Sequence, residues 1–187
     1  MSNNEIRTRL LALLRERAFR EGDFTLASGQ KSNYYIDGRM IAVCPEGSWL
    51  IGEAIFQQIR DVECDAVGGL AVGAVPLVTA TMIACHTHGR SLEGFWVREK
   101  PKEHGAQKQI EGKLPANPKV VIVDDVITSG GSSIKAAEAV EAAGGKVVMM
   151  LAIVDRQQGA AELFHQRGYP YRPLFIKDEL FASSAGA

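Results

Sequence analysis

The sequence has few cysteines and no long hydrophobic segment. Three cysteines in 187 residues, with no C-x-x-C pair, exclude a disulfide-stabilised scaffold and predict reduced thiols in a cytoplasmic protein. No apolar run approaches the roughly 18 residues that a membrane helix needs, so we expect no membrane partner. Neither sign of charge is in excess: 21 basic and 22 acidic side chains give a net charge of −1. This balance argues against nucleic acid as a partner.

Internal repeats and low-complexity segments are also lacking. Hydrophobic residues make up 46% of the chain and charged residues 23%, which is typical of a soluble globular domain and excludes a disordered chain. A chain of this length buries enough surface to fold without a metal or disulfide staple. We therefore predict one domain over residues 1–187.

Helix and strand patterns alternate along the chain. Strands are predicted at residues 24–26, 34–37, 65–69, 95–97, 120–123, 147–154 and 171–176. Helices are predicted from the Ser2/Glu5 capping box to Glu21-Gly22-Asp23, from Pro45 to Ile59, from Pro76 to Ile83, and at residues 132–143 and 160–167. Repeated strand–helix–strand units of this length predict an α/β fold, with a central, mainly parallel sheet and helices on both faces.

The segment after the apolar strand 120–123 carries the clearest chemistry. Asp124 and Asp125 come first, and the small residues of positions 128–132 then lead into a helix. Ligands bind beyond the carboxyl ends of parallel strands, and backbone N–H groups at a helix N-terminus bind phosphate. Carboxylates accept hydrogen bonds from a vicinal diol, so the segment suits a ribose 5-phosphate. The alternative is that these residues only cap a turn and a helix.

This segment resembles the signature of type I phosphoribosyltransferases, enzymes that use phosphoribosyl diphosphate. The resemblance implies that Asp124 and Asp125 contact the ribose hydroxyls, with Asp125 counted among the catalytic residues. It also implies that the 5-phosphate lies on a phosphate cradle formed by Thr128, Ser129, Gly130, Gly131 and Ser132. The family fold adds a small N-terminal hood, which we place at residues 1–45.

A polar stretch at residues 98–112 concentrates the cations Arg98, Lys100, Lys102 and His104. It is predicted to be a mobile loop; a plain solvated loop is the alternative. The residue order resembles the catalytic loop of orotate phosphoribosyltransferases, which implies that all four side chains bind the diphosphate. Lys102 and His104 are then catalytic, and Lys102 matters most to the rate. Glu99 stands where the family usually has Lys, and Lys100 is the candidate to replace it.

Two further segments resemble parts of the same family. Residues 24–37 resemble its N-terminal hood, which implies that Tyr35 contacts the pyrimidine; hairpin core is the alternative for Tyr34-Tyr35. Residues 68–76 resemble its pyrophosphate loop, although a glycine-rich turn before a helix is also possible. Some relatives have Lys at Ala27 and at Gly73, so those contacts are missing here.

Arg156 follows the strand at residues 147–154. An arginine there can bind a carboxylate with two hydrogen bonds, whereas a surface ion pair is the alternative. The resemblance to orotate phosphoribosyltransferases implies that Arg156 holds the orotate carboxylate and that Thr128 also faces orotate.

The resemblance implies a complete activity: orotate and phosphoribosyl diphosphate give orotidine 5′-phosphate and diphosphate, a step of pyrimidine (UMP) biosynthesis. It implies Mg²⁺ carried on the diphosphate without direct protein ligands, and a homodimer whose loop reaches the partner's site. Two alternatives stay open. One is a phosphoribosyltransferase for another nucleobase; the other is a non-catalytic nucleotide sensor, which Glu99, Ala27 and Gly73 favour and the Lys102/His104 pair disfavours.

Overall fold

The computed structural model describes residues 1–25, 29, 31–100 and 109–181. The strands of this part are β1 (Phe19–Thr25), β2 (Lys31–Ile36), β3 (Ala66–Gly68), β4 (Glu93–Val97), β5 (Ile110–Gly112), β6 (Lys119–Ile127), β7 (Lys146–Asp155) and β8 (Tyr171–Ile176). The helices are α1 (Asn3–Leu13), α2 (Arg39–Ala42), α3 (Pro45–Ile59), α4 (Ala74–Thr87), α5 (Gly131–Ala142), α6 (Ala160–Gln166) and α7 (Lys177–Phe181). None of these helices is long and apolar enough to cross a bilayer.

The central sheet has the strand order β5-β4-β3-β6-β7-β8. β4, β3, β6, β7 and β8 pair with one another in parallel. The edge strand β5 pairs antiparallel with β4. The predicted α/β fold with a mainly parallel sheet is therefore confirmed. Residues 110–112, which the sequence assigned to a loop, instead form β5 against Phe95, Trp96 and Val97.

Strand β6 is the middle of the core because its residues are buried on both faces of the sheet. Val121 and Val123 pack in one cluster with α1, α3 and α4, and Val120 and Ile122 pack in another with α5 and α6. This alternation follows from the two-residue period of a strand, and a continuous apolar run is typical of a strand covered on both sides. β6 continues to Ile127, so Asp124 and Asp125 lie within its C-terminal part and not after it.

The hood contains a two-stranded antiparallel sheet, β1 and β2, that begins earlier than the sequence predicted. Helix α1 has the predicted Ser2/Glu5 capping box and is followed by a π-helical turn over Leu14–Ala18. Glu21-Gly22-Asp23 does not end the helix: these residues lie in β1, where the pairing shifts register between Glu21 and Phe24. A bulge can absorb the turn-forming glycine without ending the strand.

Arg90 binds the end of α3 and the loop that leads from it to β3. Its guanidinium donates hydrogen bonds to the carbonyls of Ile59 (2.5 Å), Val62 (2.8 Å) and Cys64 (3.2 Å). Arg90 thus brings side-chain donors to carbonyls at and just after the end of α3, where the hydrogen-bond ladder of the helix stops; the Ile59 carbonyl also accepts from the Val62 N–H at 2.9 Å.

We expect Arg90→Ala to lower the free energy of unfolding by about 2 kcal/mol, because several part-buried carbonyls lose a charged donor. Urea denaturation measures this loss. Arg60→Ala is the matched control, since Arg60 is an exposed arginine that pairs with Asp61 at the same helix end; we expect a change below about 0.5 kcal/mol for it. Equal losses in the two variants would contradict this role for Arg90.

Candidate active site

Asp124 and Asp125 occupy different environments at the end of β6. Asp124 is buried, and its two carboxylate oxygens accept hydrogen bonds from the Asp125 N–H and from the Ser133 hydroxyl, both at 3.1 Å. Asp125 is half-buried and lies against two glycines. A Cβ atom on Gly73 or on Gly38 would come within 2.9 Å of one of its carboxylate oxygens. The hood, the loop before α4 and strand β6 therefore converge on Asp125.

Both carboxyl groups hold their protons more tightly than surface acids do. Burial, followed by the charge of Asp125, raises the pKa of Asp124 to about 7. Burial also raises the pKa of Asp125, and the charge of Asp37 adds to this. Hydroxyl donors or a cation placed beside the pair would stabilise its ionised form. The site is thus suited to a ligand that brings such groups.

The phosphate cradle, residues 128–132, joins β6 to α5. Gly130 has φ +84°, and a Cβ there would come within 2.8 Å of the Phe164 ring, so glycine is required. Within the part of the chain that the structure describes, no side chain caps the N-terminus of α5. Ser129, Gly131 and Ser132 are exposed. The first N–H groups of α5 and its dipole are therefore available to an anion.

A cleft of about 300 Å³ connects these features. Side chains on its walls include Tyr35, Asp37, Arg39, Asp124, Asp125 and Ser132. Arg39 forms a two-point ion pair with Asp37, with distances of 2.8 and 2.9 Å. Sequence reasoning missed Arg39 and Gly38. A signal was present, because Asp37-Gly38-Arg39 directly follows a strand, and Asp124 and Asp125 likewise lie near the end of a strand.

Gly38 keeps the hood close to Asp125, so we expect Gly38→Ala to reduce activity more than stability. The backbone of Gly38 has an ordinary helical conformation (φ −61°), so alanine brings no conformational strain. Its Cβ would lie 2.8 Å from Asp125 Cβ, and the carboxylate must move. We expect at least a roughly tenfold loss of kcat/KM, since small displacements of catalytic groups are costly. Kinetics and thermal melting test this; an unchanged kcat/KM would contradict it.

Arg156 lies beside Thr128 because β6 and β7 are neighbouring parallel strands. Ile127 pairs with Asp155, and the Arg156 N–H donates to the Ile127 carbonyl at 2.8 Å. The Arg156 side chain is only 7% exposed, which excludes the surface ion pair. Its Nε donates to the Tyr34 hydroxyl at 3.3 Å, while its Nη2 is buried without a hydrogen-bond partner among the described residues. A buried N–H group of this kind calls for an acceptor, and a ligand carboxylate would supply one.

The two adjacent tyrosines of the hood have separate places. Tyr34 is buried and packs against Phe181, with ring centroids 5.2 Å apart. Tyr35 is 37% exposed, lies 5.6 Å from the Phe24 ring and lines the cleft. Tyr34 thus belongs to the core of the hairpin, whereas Tyr35 is open to a ligand, and its contact with the pyrimidine stays a prediction.

The basic segment is described at its two ends. Arg98 and Lys100 are exposed; the Arg98 guanidinium lies 3.4 Å from a Glu111 carboxylate oxygen. The Glu99 carboxylate lies 3.6 Å from the Lys135 ammonium of α5. Lys102 and His104 lie outside the described residues, as does Ala27, and their roles stay predictions.

The chain is similar to known proteins over most of its length. Residues 45–167 match the phosphoribosyl transferase domain family. An orotate phosphoribosyltransferase from Bradyrhizobium sp. (strain BTAi1) is 42% identical over 179 residues, which cover 94% of this chain and 97% of the relative. One from Rhodopirellula baltica is 44% identical, covering 88% and 89% of the two chains.

Solved structures give the same result. The orotate phosphoribosyltransferase of Mycobacterium tuberculosis H37Rv in complex with Fe(III) dicitrate has a TM-score of 0.84 and 37% identity, covering 94% of this chain and 98% of that one. A structure of that enzyme with 5-phospho-α-D-ribosyl 1-diphosphate has a TM-score of 0.80 and 34% identity, covering 94% and 99%. The chain therefore belongs to the orotate phosphoribosyltransferase family.

Proposed function

We propose that the protein transfers the phosphoribosyl group of phosphoribosyl diphosphate to orotate, giving orotidine 5′-phosphate and diphosphate. The observation that carries this proposal is the buried Nη2 of Arg156, which has no hydrogen-bond partner in the described part of the chain and lies at the strand end next to the phosphate cradle. Orotate has a carboxylate that would accept from this group, and neutral nucleobases have none. Thr128 and Tyr35 complete the proposed orotate site.

The reaction passes through a sugar ring with positive charge at its anomeric carbon, so catalysis is a matter of position and electrostatics. The phosphate cradle holds the 5-phosphate. Asp124 and Asp125 accept hydrogen bonds from the ribose hydroxyls, and their negative charge favours the developing cation. We assign Arg98, Lys100, Lys102 and His104 to the diphosphate, whose charge grows as the bond to the sugar breaks.

Mg²⁺ would neutralise the diphosphate and assist its departure. The described residues contain no group of three or more His, Cys, Asp or Glu placed to hold a metal ion. Mg²⁺ usually keeps most of its oxygen ligands from phosphate and water. Mg²⁺ is accordingly proposed to enter with the substrate.

A nucleobase panel tests the proposal. The purified protein is mixed with phosphoribosyl diphosphate, Mg²⁺ and orotate, and the loss of orotate absorbance is followed; uracil, adenine, guanine and xanthine run in parallel. We expect turnover with orotate alone. Turnover of a neutral base instead would favour the other transferases. Folded protein that binds phosphoribosyl diphosphate without any turnover would favour the nucleotide sensor.

We also propose that the protein is a cytoplasmic homodimer. Its free cysteines fit a reducing compartment. The neighbouring helices α3 and α4 expose Trp49 (50%) and Ile83 (62%) beside a cleft of about 300 Å³. Large exposed apolar side chains of this kind mark contact surfaces, and a second copy is the occupant that the family resemblance implies. Light scattering should give twice the chain mass, and a monomeric mass at micromolar concentration would contradict this proposal.

A further inference from the structure

Tyr34 connects the hood to Arg156. The two residues are 122 positions apart in sequence, yet the Arg156 Nε donates to the Tyr34 hydroxyl at 3.3 Å, and the guanidinium carbon lies 4.8 Å from the centre of the Tyr34 ring. Both side chains are 7% exposed. A hydrogen bond and a cation–π contact therefore act on the same buried guanidinium.

The Tyr34 ring is itself held from the other side. Phe181 of α7 contacts it edge to face, with centroids 5.2 Å apart and planes at 82°. Phe19 of β1 lies 6.2 Å away. The hood and the C-terminal helix together fix the ring, so it is not free to stack on a nucleobase as Tyr35 is.

We propose that Tyr34 is a positioning residue that orients Arg156 for the orotate carboxylate. The Tyr34 hydroxyl accepts from Nε, while Nη2 has no partner in residues 1–25, 29, 31–100 and 109–181 and can donate to the ligand. A guanidinium has a planar fork of donors, so fixing Nε also fixes the directions of its other N–H groups. This inference rests on the proposed function, because it takes orotate as the ligand of Arg156.

Tyr34→Phe removes only the hydroxyl and keeps the ring that contacts Arg156 and Phe181. We expect the KM for orotate to rise roughly 3- to 10-fold, the range that the loss of one net hydrogen bond gives. The KM for phosphoribosyl diphosphate and kcat should stay within about twofold, because the hydroxyl that is removed bonds to Arg156. Tyr169→Phe is the matched control: its hydroxyl donates to Glu141 on the protein surface at 2.8 Å, and its removal should leave all kinetic constants unchanged.

A double-mutant cycle separates positioning from direct contact with orotate. In an Arg156→Ala background, Tyr34→Phe should cause no further loss of kcat/KM for orotate, measured from initial slopes. A full additional loss would mean that Tyr34 acts on orotate directly and would overturn the inference. An unchanged orotate KM in Tyr34→Phe, or an equal rise for both substrates, would also overturn it. Failure of the proposed function would look different, since the unaltered protein would then not convert orotate.

Discussion

Replacing Arg156 by alanine is expected to weaken orotate binding by roughly 30- to 1000-fold, since losing one member of a buried charge pair costs about 2–4 kcal/mol. The side chain is 7% exposed, so water cannot easily replace the lost donors. The KM for phosphoribosyl diphosphate should change by less than about twofold, because its proposed ligands lie on β6, in the phosphate cradle and in the basic segment that begins at Arg98. Steady-state kinetics with each substrate varied in turn measures both effects.

Arg167→Ala is the control for this change, because Arg167 is a half-exposed arginine that pairs with Glu138 on the surface. It should leave both KM values unaltered. The preference for orotate over uracil should fall only in the Arg156 variant, since uracil has no carboxylate to lose. An unchanged orotate KM in Arg156→Ala would remove Arg156 from the substrate site.

Asp124→Asn is expected to abolish most activity while making the free protein more stable at alkaline pH. Burial and the adjacent Asp125 raise the pKa of Asp124, so ionised Asp124 destabilises the folded state. Asparagine has nearly the same shape, and it can accept from the Asp125 N–H and donate to the Ser133 hydroxyl oxygen. We expect kcat/KM to fall roughly 100-fold or more, because a charge that stabilises the transition state is removed.

The pH dependence of stability distinguishes this effect of the Asp124 charge from an effect of packing. Between the pKa of the unfolded carboxyl and its raised folded value, the folded state binds the proton more tightly, so the free energy of unfolding falls as pH rises. Asparagine cannot ionise, so the variant does not lose this free energy of unfolding as pH rises. Urea denaturation should show a gain of about 2–4 kcal/mol at pH 8 and little gain at pH 4. Asp61→Asn replaces an exposed acid and should show no gain at either pH. Equal gains at pH 4 and pH 8 in Asp124→Asn would contradict this explanation.

The central sheet and the phosphate cradle could be predicted from sequence because their signals are local. A continuous apolar run at residues 120–123 indicates a strand buried on both faces, and its parallel neighbours place whatever follows it at one edge of the sheet. The acids and the small residues of the phosphate cradle lie together in the chain. Their nearness in space therefore needed no long-range information.

The hood could be predicted less well because its strands depend on each other. Phe19 begins β1 by pairing with Ile36, and this pairing overrides the turn signal of Glu21-Gly22-Asp23. Strand β5 is three residues long and forms only because β4 offers an edge. Propensity is a weak guide where partner strands decide.

The contact between Tyr34 and Arg156 was beyond sequence reasoning for a different reason. Each residue is ordinary in its own segment, one in a hairpin and the other at a strand end. Only the packing of the hood on the sheet brings them within 3.3 Å. The same packing places Gly38 against Asp125. These long-range contacts bring residues of separate motifs together.

A crystal structure of the protein with orotidine 5′-phosphate would test the proposed site as a whole. We expect the 5′-phosphate at the N-terminus of α5, the ribose hydroxyls on Asp124 and Asp125, and the pyrimidine carboxylate within hydrogen-bond distance of Arg156 Nη2. A carboxylate that points away from Arg156, or a phosphate bound outside residues 128–132, would contradict it.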